Sequence, residues 1–159
     1  MLPVPSFDTL FSWAGALALV GWICLLAARW LPTGAARAVR GIAAMLPVVL
    51  SLGYVGLLVA RAGAVEGGGF GSIAQVRTLF ADDGVLLAGW VHYLAFDLFV
   101  GTRIERDADR TALSYLLLVP ALALCFLAGP AGLLVHAAVQ TARGRAAGLL
   151  SGASPEPAA

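Results

Sequence analysis

The chain contains no lysine, and all 10 of its basic residues are arginine. Charge of either sign is scarce: charged residues make up 12% of the 159, against about 25% in a soluble domain. An ordinary water-soluble globule is therefore excluded. The formal net charge is +1, and no basic cluster provides the electrostatic footprint of a nucleic-acid partner. Cysteine is nearly absent too. Cys24 and Cys125 each lie inside an apolar run, neither in a CxxC, so both are expected as small buried hydrophobes and nothing supports a disulfide. The N-terminal "MLPVPSFDTLFSW" lacks the basic region of a secretory signal, so the first apolar run is expected to be a mature helix.

What the chain has is apolar sequence. Hydrophobic residues make up 60% and the mean hydropathy is +0.91. A membrane span needs about 20 mostly apolar residues, and four stretches qualify: 10–31, 41–62, 84–104 and 112–140. The expected fold is all-α, a four-helix transmembrane bundle forming one domain over residues 1–145. Residues 146–159, rich in Gly, Ala, Ser and Pro, are expected to be a disordered tail. Ser6, Asp8 or Thr9 can cap the first helix, with Arg29 and Trp30 anchoring its far end. Pro47 should kink the second, and its Gly53 and Gly56 allow close approach. Pro120 and the "GPAG" at Gly129–Gly132 should break or kink the long fourth span. The connection 63–83 carries Phe70, Ile73, Val76, Leu79 and Phe80 at helical spacing. It is expected as a short amphipathic helix on the membrane surface or folded over the bundle mouth. Arginines divide six to four between the two sides, which leans towards cytoplasmic first and third loops with both termini outside. Arg without Lys, beside abundant Ala, Gly and Leu, matches a GC-rich bacterial coding bias, so the bacterial inner membrane is the expected location.

The third span carries His92 and Asp97 well inside its apolar part. A central Asp costs roughly 2.5–3.5 kcal/mol on insertion scales, so it needs a partner or a proton. At 100° per residue, Trp90, Tyr93 and Asp97 share one face, whereas His92 lies about 140° from Asp97, nearer Phe96, Phe99 and Arg103. Arg103 can snorkel back towards Asp97. His136 should lie near the membrane edge on the side opposite the Arg103–Arg110 loop, which permits a His92–His136 approach between adjacent helices. Two histidines and a carboxylate can bind a metal, but no HExxH or ExxH spacing supports it and no metal site is expected. Each residue also has a structural reading: the histidines as interhelical hydrogen-bonding groups, the aromatics as packing, and "IERDADR" as a solvated loop.

Three segments, "FGSIAQVRTLFADD" (Phe70–Asp83), "GWVHYLAFDLFVG" (Gly89–Gly101) and "GPAGLLVH" (Gly129–His136), carry a family likeness. Together and in this order, over residues 10–140, the chain resembles the plant abscisic-acid-deficient-four protein and its bacterial relatives. The matching positions are Trp90, His92, Asp97, Leu98, Phe99, Pro130, Gly132 and His136. Relatives often place a basic residue soon after D-L-F, whereas here Thr102 intervenes before Arg103. The plant member is needed to form neoxanthin from violaxanthin, so the resemblance implies a role with carotenoids or another apolar polyene.

Opening an epoxide to an allenic alcohol delivers a proton to the epoxide oxygen and removes one from the adjacent polyene carbon, without a redox cofactor. Asp97 suits the acid, with His92 or His136 as the base. Trp90, Tyr93, Phe96 and Phe99 suit the lining of a polyene slot, with Arg103 beside it. The leading expectation is a cofactor-independent intramembrane isomerase of carotenoid or xanthophyll metabolism, acting on an epoxide or a cis–trans bond. A non-catalytic carotenoid- or lipid-binding protein is the alternative, and a small proton-linked transporter the second. The expected partners are membrane lipid and the polyene; a homo-oligomer or a partner carotenoid enzyme stays open.

Overall fold

The computed structural model describes residues 5–144; the tail expected over 146–159 lies outside them. Six α-helices and one short 3₁₀ turn account for the architecture, with no strand among the described residues. Helix α1 (Phe7–Ala27) starts where the Ser6 hydroxyl accepts the Thr9 N–H at 3.2 Å, one of the four amides a helix start leaves unpaired. The 3₁₀ turn Ala28–Trp30 leads into α2 (Thr33–Ala60), which continues through Pro47. Short α3 (Ile73–Leu79) and long α4 (Asp83–Arg110) follow, then α5 (Tyr115–Leu127) and α6 (Gly129–Ala142). Helices α1, α2 and α4 are long and apolar enough to cross a membrane, and α4 is the most buried of the three.

The expected fourth span is not one. The chain leaves helical geometry at Ala128 (φ −159°, ψ 79°), and α6 folds back along α5. A Cβ at Gly132 would lie on the Cys125 backbone N and Ala121 O, so the two backbones touch where only glycine fits. The hairpin tip meets the middle of α4, where the Tyr93 hydroxyl reaches the carbonyls of Phe126 (3.2 Å) and Leu127 (3.0 Å). Its open end returns to the C-terminal end of α4: Gln140 bonds Thr111 at 2.8 Å, and Arg143 donates to the Thr111 carbonyl at 3.3 Å. At 1.5 Å per residue, the 13 residues of α5 rise about 20 Å, short of a roughly 30 Å hydrocarbon core. The bundle is thus three spans plus a re-entrant helical hairpin, in place of four spans. Pro120 sits inside α5 without breaking it; the break belongs to the "GPAG" segment.

This topology places the N-terminal end of α1 and the end of α6 on opposite faces, and it redistributes the arginines. Arg29, Arg37, Arg40, Arg103, Arg106, Arg110 and Arg143 lie at the hairpin's open end, and only Arg61 and Arg77 at the other, among the described residues. By the positive-inside rule the hairpin end is the one expected to face the cytoplasm. Arg29 ties that end together, donating to the Ala108 carbonyl in the last turn of α4 (3.2 Å) and to the Leu113 carbonyl in the connection to α5 (2.5 Å). Arg40 bridges Glu105 and Asp109, each at 2.8 Å.

Two apolar clusters form the core. Around Trp22, Leu25, Leu98, Ile104, Leu118 and Leu122 the hairpin packs on α1 and α4. Around Ala14, Ala18, Leu50, Leu87, Val91 and Ala95 the three spans meet alone. Gly53 and Gly56, expected at a close approach, face open space. Cys24 and Cys125 are free thiols, Cys125 fully buried.

Candidate functional site

Asp97 sits near the middle of α4 and is only 7% exposed. Its setting comes from the hairpin. Gly129, the first residue of α6, turns its backbone N–H to the Asp97 carboxyl, and the Tyr93 hydroxyl faces the same group from one turn back on α4. A side chain at Gly129 would overlap the carboxyl oxygens, so glycine here is what lets the helix end reach the acid. The Cys125 thiol donates to the Asp97 backbone carbonyl at 3.4 Å. Asp97 Oδ2 is buried and has no hydrogen-bond partner among the described residues. Tyr93 has one proton, and the Leu127 carbonyl accepts it at 3.0 Å; its oxygen then offers lone pairs, an arrangement suited to a protonated Asp97. The carboxyl, the Tyr93 hydroxyl and the partial positive charge of the α6 N-terminus meet at one buried point.

The histidines do not join it. His136, expected on the side opposite the Arg103–Arg110 loop, lies on the same side: its Nε2 is 2.8 Å from Asp107 Oδ2. Gln140 Nε2 reaches the same oxygen at 2.5 Å and Thr111 Oγ1 at 2.8 Å. The reversal follows directly from the hairpin, which returns α6 to the end where α4 finishes. His136 is fully buried, with Nδ1 unpartnered among the described residues. His92 faces elsewhere again, with ring centroids 5.2 Å from Tyr54 on α2 and 4.6 Å from Phe96. It lines an open cavity of about 520 Å³ walled by α2, α4 and the 62–82 connection, which contributes Phe70, Leu79 and Phe80. The connection therefore folds over the bundle mouth, one of its two expected positions.

The aromatic residues divide in the same way. Trp90 packs against Phe11 of α1 (centroids 5.5 Å apart) and against Tyr93 (5.3 Å), extending the Asp97 face. Phe96 and Phe99 point outward, 56% and 51% exposed. Arg103 is exposed, with no hydrogen bond or ion pair among the described residues, and does not reach Asp97. Sequence reasoning missed Gly129, whose contribution is a backbone amide, and Asp107, which sat in a segment read as a solvated loop. The Gln140 signal was available: it follows His136 by four residues, the spacing of one helix face.

Three apolar spans, a re-entrant hairpin and a buried carboxyl at the hairpin's helix N-terminus define the class: an integral membrane protein built around an intramembrane polar centre. The chain belongs to the ABA DEFICIENT 4-like family, which matches residues 9–136. That range takes in all three spans, the Asp97 centre and His136. No curated protein and no solved structure matches the chain. The family connects it with carotenoid and xanthophyll metabolism in membranes.

Proposed function

We propose that this protein isomerises an oxygenated polyene by acid–base chemistry at Asp97. The supporting observation is the buried carboxyl with one unpartnered oxygen, held between the Tyr93 hydroxyl and the Gly129 N–H. For a 5,6-epoxide, the Asp97 carboxyl gives its proton to the epoxide oxygen as the C–O bond to the ring carbon opens. The resulting carboxylate takes the proton from the adjacent polyene carbon, whose C–H electron pair becomes the new cumulated double bond. Atoms and charge balance, and the carboxyl ends as it began. The α6 N-terminus, with the Gly129 N–H at its head, stabilises the carboxylate between the two transfers, while the lone pairs of the Tyr93 oxygen favour return of the proton. This reading replaces the separate acid and histidine base with a single bifunctional carboxyl, because His92 and His136 face other surroundings. Trp90, stacked between Phe11 and Tyr93, provides the aromatic wall for the conjugated chain.

The test is expression in a carotenoid-accumulating bacterial host, followed by chromatography of the pigments. A changed product or isomer ratio should fall about 100-fold or more in Asp97→Asn, the scale of a lost general acid–base group. Pigment that co-purifies chemically unchanged would favour the binding-only alternative. A ratio unaltered by Asp97→Asn would remove Asp97 from the chemistry.

A further inference from the structure

The cavity at His92 lies on a different face of α4 from Asp97 and shares none of that centre's groups. We infer that it is a second binding site, taking a ring-sized, oxygen-bearing end of a lipid-phase molecule. His92 is ten residues beyond the Asp82 cap of α4, about 15 Å into the helix. At that depth a polar group without a hydrogen bond is costly. Its ring is backed by Tyr54 and Phe96, and neither ring nitrogen has a hydrogen bond among the described residues. What stands in front of it is the cavity of about 520 Å³, within the roughly 300–1,000 Å³ of small-molecule pockets.

The shape and chemistry of the walls select the occupant. Arg61 stands at the mouth but is already paired with Asp82, its Nε 2.9 Å from Oδ1, so the site has no free cation for an anionic headgroup. Below it the lining is mostly apolar, with Leu58, Leu79, Phe80, Val85 and Ala88, and Tyr54 adds one hydroxyl beside His92. The Phe80 ring lies over Gly89, where even a methyl would meet it at 2.5 Å, so the lid closes directly onto α4. A neutral hydroxyl or keto oxygen on an apolar ring satisfies His92, which is exposed to the cavity, and sets its carbon skeleton against the apolar walls. Such a molecule comes from the bilayer, because Leu58 and Phe96 beside the cavity are themselves exposed on the outer surface of the spans.

This inference rests on the proposed function only in taking the ligand from the lipid phase, and its test is independent of turnover. Purified full-length protein in detergent is titrated with 3,3,5-trimethylcyclohexanol and with 1,1,3-trimethylcyclohexane, which lacks the oxygen, following the shift in thermal unfolding. The hydroxylated ring should bind roughly fivefold to tenfold more tightly, the equivalent of one buried hydrogen bond. His92→Leu should abolish the preference, His92→Gln should restore part of it, and Asp97→Asn should leave it intact. Equal binding of the two compounds, or a preference surviving in a folded His92→Leu protein, overturns the inference. Loss of binding in Asp97→Asn would merge the two sites and overturn it as well. Loss of conversion in Asp97→Asn with the ring preference retained separates the fate of this site from that of the catalytic reading.

Discussion

At the residue scale, the most constrained position is not the acid but the glycine facing it. Gly129 opens α6 with an amide that would otherwise have no partner, and Asp97 accepts it. Gly129→Ala places a methyl on the carboxyl oxygens. It should destabilise the folded protein by about 1–3 kcal/mol, as overpacking does, and displace Asp97. Thermal unfolding in detergent would register the first effect, and pigment conversion dropping as in Asp97→Asn the second. Asp97 was legible in the sequence because a carboxylate inside an apolar span demands an explanation. Its partners were not. An amide N–H has no sequence signature, and a carbonyl such as that of Leu127 could be assigned only once the hairpin brought it to Tyr93.

At the scale of elements, the helices were legible and one connection was not. Apolar length predicts the helices and Ser6 the start of α1, since the first turn needs an acceptor; Ser72 and Asp82 accept an amide in the same way where α3 and α4 begin. The fourth apolar stretch misled because its composition is the same whether it crosses or returns. Only the direction taken after Ala128 decides, and that rests on Gly132 reaching the α5 backbone. The lid connection is fastened where α4 starts. Asp82 accepts from Arg61 and from the Val85 N–H at 3.0 Å. These bonds, the Arg61 one foremost, hold its carboxyl below the ordinary value of 3.8. Folding lowers this pKa, so the support is complete above about pH 4 and is lost as pH falls through the folded value. Hydrogen exchange at Val85, corrected for its intrinsic rate, should therefore hold steady down to about pH 4 and accelerate as the pH falls further. In Asp82→Asn it should be fast throughout, with no such step; an unchanged profile would detach the pair from the lid's stability.

At the scale of the whole molecule, the hairpin makes an unambiguous prediction of sidedness. In a protein with Cys24→Ser and Cys125→Ala, single cysteines at Glu66, Ala112 and Arg143 can be probed with a membrane-impermeant maleimide on intact cells. Glu66→Cys should label, while Ala112→Cys and Arg143→Cys should label only after the cells are opened. A four-span chain would place Ala112 and Arg143 on opposite sides, so their shared behaviour is the discriminating result. The same architecture gives the protein unequal cross-sections in the two leaflets. Among the described residues, five helical segments (α1, α2, α4, α5 and α6) stand side by side in the half at the hairpin's open end, whereas the other half contains three spans. Each helix is about 10 Å across, so the body is a wedge, broad towards the arginines and narrow towards the lid. The lipids beside the narrow half must fill the space that α5 and α6 leave free. A bilayer in which that leaflet is crowded with bulky apolar molecules is therefore the one into which the protein fits with least deformation.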